Sequence, residues 1–137
     1  MNHSEQILNL REKITFQEDK TKSPIEHFQH KTLRPILKFL NETLNKLSLN
    51  FTLNLNPDFL HLNPLEQEKQ IVSILKKEQV LKNKLVGVVV GLFTQEEVDF
   101  YLNNYLKIDE RIQQMIQERI RTQFMNFLPK SKLLSDQ

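Results

Sequence analysis

Apolar positions recur at three- and four-residue intervals along most of this chain, the spacing that stacks side chains on one face of an α-helix. Ile7, Leu10 and Ile14 predict a short amphipathic helix over 4–16. A longer stripe follows through Ile25, Phe28, Leu33, Ile36, Leu37, Leu40, Leu44 and Leu47. Its start is marked by Ser23, Pro24, Ile25 and Glu26, which supply a capping hydroxyl, a proline at the first helical position and a glutamate placed to reach back. Pro35 interrupts the stripe. It has no amide hydrogen to donate and its ring crowds the carbonyl of Lys31, so a kink is predicted, or a restart with Thr32 as a second cap.

Phe51 to Asn56 alternates apolar and polar residues as a strand would, yet Leu44, Leu47, Phe51 and Leu55 keep helical spacing. A lone strand has no evident partner, which favours a helix that frays over 50–56 and a loop over 57–63. Asn63, Pro64, Leu65 and Glu66 then repeat the capping pattern. From Ile71 onward, Ile74, Leu75, Leu81, Leu85, Val88, Val89 and Leu92 fit either one long helix or two joined near Glu78. Thr94 and Glu97 form a third capping box, followed by a short helix carrying Val98, Tyr101, Leu102 and Tyr105. The last helix carries Ile108, Ile112, Met115, Ile116, Ile120, Phe124 and Phe127 and is closed by Pro129. Residues 1–3 and 130–137 are expected to be mobile termini.

The uncharged block from Leu85 to Phe93 holds both glycines of the chain. Its four valines favour a strand by propensity, but helical periods flank it on both sides and Thr94 stops it. It is therefore read as a buried core helix, with Gly87 and Gly91 on one face as positions of close helix packing. The resulting expectation is an all-α, single-domain helical bundle of five or six helices spanning 1–137.

Composition narrows the picture further. Two glycines and five prolines in 137 residues leave few turn signals for a sandwich or barrel. Nineteen Lys and Arg against seventeen Asp and Glu give a net charge of +2, too slight an excess to require nucleic acid. Cysteine is absent, which excludes disulfides, thiolate metal sites and a cysteine nucleophile. The first ten residues lack the basic then apolar order of a signal peptide, and no stretch is long and apolar enough to span a membrane. A cytoplasmic location follows as an expectation.

Chemistry-bearing residues are few. His27 and His30, beside Glu26 and Arg34, could share a helical face and bind a metal, but a site needs further ligands and His61 falls in a loop. They remain weak candidates, and neither a metal nor another cofactor is expected. Glu96 with Glu97, and Asp109 with Glu110, lie near helix starts, where capping accounts for acidic residues. No serine stands in a nucleophile elbow, and no glycine-rich loop exists to cradle phosphate. Lys76, Lys77, Lys82 and Lys84 form a basic cluster opposed only by Glu78. The final helix presents Arg111, Arg119 and Arg121 among glutamines. Each set reads as a solvated face or as a contact surface.

Phe28, Gln29 and the run Thr32, Leu33, Arg34, Pro35, Ile36, Leu37, Lys38, together with Leu85 to Thr94, resemble a family of small uncharacterised bacterial proteins that often carry a glyoxalase label. The similarity covers about 5–127. A glyoxalase of the vicinal-oxygen-chelate type is built from paired βαβββ modules with metal ligands on strands, and no such strands are predicted here. The resemblance therefore implies a family and no site residues. Three functional classes follow: a non-enzymatic protein-interaction module, which includes self-association as a homodimer; a glyoxalase-like or other metal-dependent small enzyme; and a nucleic-acid-binding helical protein. The first is the expectation.

Overall fold

A computed structural model describes residues 2–10 and 23–129, and among them every regular element is helical. The α-helices are α1 (His3–Leu10), α2 (Pro24–Phe28), α3 (Arg34–Phe39), α4 (Asn41–Leu55), α5 (Pro64–Lys77), α6 (Gln79–Val90), α7 (Gln95–Asn103) and α8 (Tyr105–Gln123). A π-helical turn, Gln29–Leu33, joins α2 to α3 without a break, so the described residues form seven separate helices rather than five or six. Short 3₁₀ turns occupy Phe59–His61 and Phe124–Phe127. The all-α class is as expected.

The helix starts follow the capping residues. Ser23 Oγ accepts from the Glu26 amide at 3.2 Å, and Asn63 Oδ1 accepts from the Glu66 amide at 2.9 Å, each with proline as the next residue. At α7 the box closes in both directions: Thr94 Oγ1 accepts from Glu97 N at 3.2 Å, and Glu97 Oε1 accepts from Thr94 N at 2.8 Å. Asn2 was expected in a mobile terminus, yet its side chain caps α1 by accepting from Glu5 N at 2.8 Å. Within α1, Ile7 is buried but Leu10 is exposed, and Ile14 lies outside the described residues, as does the tail from Lys130.

Thr32 does not act as a cap at Pro35, because the helical backbone carries through the proline without a new start. The backbone widens ahead of the proline into a π turn in which Arg34 N–H bonds to Gln29 O, five residues back. A π turn is one of the few ways a helix can continue past a proline that cannot donate. Phe51 to Leu55 is helical, the C-terminal end of α4. The buried face of α4 is Leu44, Asn45, Ser48, Leu49 and Thr52, which displaces the predicted stripe: Leu47 is half-buried and Leu55 is exposed. Thr52 Oγ1 donates to Ser48 O at 2.8 Å, which lets a hydroxyl be buried at little cost.

The segment over 64–93 is two helices. Glu78, with φ −83° and ψ 102°, leaves the helical region while its amide still bonds Ile74 O, and its own carbonyl then accepts from Lys82 N. One residue thus ends α5 and starts α6.

The described residues divide into two compact units, one of 2–10, 23–41 and 86–115, the other of 42–85 and 116–129. In the first, the core holds Phe28, Leu33, Ile36, Leu37, Val89, Phe93, Ile108 and Ile112. Phe28 stacks on Phe100 with centroids 4.9 Å apart and meets Phe93 edge-on at 5.4 Å, while Phe93 meets Tyr101 edge-on at 5.7 Å. In the second, Leu44, Phe59, Ile71, Leu75, Leu81, Ile116, Ile120 and Phe124 are buried, with Phe59 and Phe124 in ring contact. Gln67 Nε2 donates to Phe59 O at 3.1 Å and fastens the 3₁₀ turn to α5.

The valine block is one-sided rather than buried all round. Leu85, Val86, Val89 and Phe93 are buried, whereas Gly87 and Gly91 are exposed. A Cβ at Gly87 would meet no described heavy atom within 4 Å, so among the described residues Gly87 admits no closely packed helix. At Gly91 a Cβ would lie 3.3 Å from Gly87 O and 3.4 Å from Val88 O, contacts with its own preceding turn and not with a second helix. No helix among the described residues therefore packs closely on either glycine.

Candidate functional site

In the first unit the chemistry-bearing residues gather around the π turn, and they are committed to one another. From the π turn the Thr32 hydroxyl reaches α7 and donates to Glu97 Oε2 at 2.9 Å. Glu97 therefore uses one carboxylate oxygen to close its own capping box and the other to hold the π turn. Thr32 and Thr94 are both buried. From α8, Arg111 donates to Gln29 Oε1 at 2.6 Å, and Tyr101 donates its hydroxyl to Asp109 Oδ1 at 2.6 Å. Burial, and then the hydrogen bond to Asp109, push the Tyr101 phenol well above its ordinary value near 10. Gln95 N donates to Ser4 Oγ at 3.0 Å, which ties α1 to the start of α7.

The histidines do not join this network as a metal site. His27 is exposed at the end of α2, and His30 lies in the π turn with Arg34 NH1 3.4 Å from its Nδ1. His61 belongs to the 3₁₀ turn of the other unit and is exposed. Among the described residues no three His, Asp or Glu side chains are placed to hold a metal ion. The acidic pairs are taken up structurally: Glu97 and Asp109 as above, Glu110 by Gln114 at 3.3 Å, with Glu96 exposed in the first turn of α7.

The second unit holds an open groove of about 380 Å³ along α5, closed on one side by Arg121 of α8. Lys69, Lys76 and Lys77 line it on α5 with Glu68, and Val72 and Ser73 lie between them. These six positions recur as adjacent pairs one helical turn apart, so they form one face of α5. Lys69, Lys76 and Lys77 are exposed, whereas Val72 and Ser73 are half-buried. Arg121 NH1 donates to Glu68 Oε1 at 3.2 Å, while its NH2 and Nε donate to the two carboxylate oxygens of Glu118 at 2.5 and 3.1 Å. That hydrogen bonding lowers the Glu118 carboxyl below its ordinary value and raises the Arg121 guanidinium above its own. The guanidinium is thus aimed by a fork of two hydrogen bonds, with a single further contact to Glu68.

The predicted lysine cluster is split by the structure. Lys76 and Lys77 face the groove; Lys82 Nζ turns back to donate to Lys76 O at 2.9 Å; Lys84 is exposed on α6. Lys69, Val72 and Ser73 were missed in the sequence, although Lys69, Lys76 and Lys77 already share one helical face there. Ser73 and Lys76 have the spacing of serine–lysine nucleophile pairs. However, Ser73 sits inside α5, where the neighbouring amides are spent on helical bonds and cannot form an oxyanion hole. The groove sets exposed cations around the half-buried Val72, with lysine stems available as apolar surface. The Thr32, Leu33, Arg34, Pro35 segment of the family resemblance, by contrast, lies in the π turn and the start of α3. No protein-family model matches the chain, and no curated protein or solved structure is significantly similar to it.

Proposed function

We propose that this chain is a non-enzymatic helical interaction protein. The observation that carries the reading is the groove along α5, where four cationic side chains and one carboxylate surround a half-buried valine. Charged rims around an apolar centre are the usual anatomy of a recognition surface. In the other unit Thr32, Glu97, Tyr101, Asp109 and Arg111 are occupied in fastening helices. Capture experiments with the full chain and with its Lys76→Glu/Lys77→Glu variant test this reading. A partner retained by the first and lost by the second supports it. Retention of no partner by the full chain, together with a monomer in light scattering at high concentration, would overturn it.

Self-association is a second form of the same reading. Leu102, Tyr105 and Leu106 stand together at the α7–α8 junction with exposures of 60%, 50% and 72%, an apolar cluster on otherwise polar helix ends. Leu102→Ser/Leu106→Ser is expected to convert any dimer to monomer without loss of helicity. An unchanged mass distribution would remove this form.

A further inference from the structure

We infer that the groove along α5 receives a short acidic peptide segment carrying one apolar side chain, an inference that rests on the interaction reading above. Charge sets the class of ligand. Arg121 is balanced by Glu68 and Glu118, which leaves Lys69, Lys76 and Lys77 as the positive excess of the groove, in a chain whose overall charge is close to balanced. The excess is therefore local. The negative end of α5 lies at this rim, and Lys82 Nζ covers it by donating to Lys76 O, which reduces its repulsion of an incoming anion.

The floor decides between anionic partners. Phosphate chains are bound by arrays of cations and amide donors along a backbone, and a half-buried valine contributes nothing to them. A peptide can place carboxylates on the lysines and seat one aliphatic side chain over Val72 between the lysine stems. Glu68 supplies the third feature. It makes one contact with Arg121, whereas Glu118 makes two, so an incoming carboxylate can displace Glu68 from NH1 while Glu118 keeps the guanidinium aimed. Glu68 is thus a resident competitor for the ligand's carboxylate.

Fluorescence anisotropy on the full chain tests the inference with three labelled probes: a peptide of Glu and Ser with one central Leu, the same peptide with Ser in place of Leu, and an oligothymidylate of matched length. The Leu peptide is expected to bind saturably and to weaken about tenfold in Lys76→Glu/Lys77→Glu, with Lys69→Glu as a second, mid-helix variant weakening it in the same direction. Glu68→Gln is expected to strengthen it a few-fold, because the competitor is gone. Circular dichroism confirms that each variant is folded. Absence of saturable binding, equal binding of the Leu and Ser peptides, or tighter binding of the oligothymidylate each overturns the inference. Retention of no partner by the full chain, together with a monomer in light scattering, overturns the wider reading instead, so the two failures are distinguishable.

Discussion

The two units of this chain use polar residues in opposite ways. Around the π turn, Thr32, Glu97 and Thr94 are drawn inside and fastened, so each group serves the packing of α3, α7 and their caps. Along the α5 groove, Lys69, Lys76 and Lys77 stay exposed and hold no structural position except through their stems. Buried polar groups are costly to leave unpaired, whereas exposed ion pairs contribute little to stability. Stability should therefore track the first region and binding the second.

The largest expected effect is at Glu97. Glu97→Ala removes the capping carboxylate of α7 and leaves the buried Thr32 hydroxyl without its acceptor, and should cost about 2 kcal/mol in chemical denaturation. A loss below about 0.5 kcal/mol would break the contrast. Tyr101→Phe comes next, at about 1 kcal/mol, since Asp109 loses its donor. The raised phenol also carries a pH signature. Because the folded chain keeps Tyr101 protonated after the unfolded chain ionises near pH 10, its contribution is complete below that pH and is lost as pH rises above it. Tyr101→Phe should flatten the fall in stability above pH 10; an unchanged slope would show that the phenol is not held as described.

The glycines sharpen the comparison from the other side. Gly87→Ala adds a Cβ into open space on a helix and should stabilise by up to about 1 kcal/mol, whereas Gly91→Ala should be near neutral because its Cβ presses on the Gly87 carbonyl. Destabilisation by Gly87→Ala would restore the close-packing reading. Smallest of all, Glu68→Gln should change stability by less than about 0.5 kcal/mol, since the pair it breaks is exposed.

How much of this was legible depended on whether the cause was local. Ser23, Asn63 and Thr94 announced their helices because a cap acts on amides two or three residues away. Pro35 announced a disturbance but not its form, a π turn whose Thr32 is bonded to a glutamate 65 residues further on. The exposure of the glycine pair was legible in the register of α6. Read by face, Val80, Lys84, Gly87 and Gly91 lie on one side, and Lys84 already marks that side as outward. The lysine face of α5 was equally legible. The groove was not, since its far wall is Arg121, 53 residues from the Glu68 it pairs with.

Binding by the groove and support of the fold by the π-turn network are separated by titrating the Leu-bearing acidic peptide against the full chain, Lys76→Glu/Lys77→Glu and Tyr101→Phe side by side. The lysine variant should bind about tenfold more weakly with stability changed by less than about 1 kcal/mol, and the less stable tyrosine variant should keep its affinity. Equal affinity for all three chains would contradict binding by the groove.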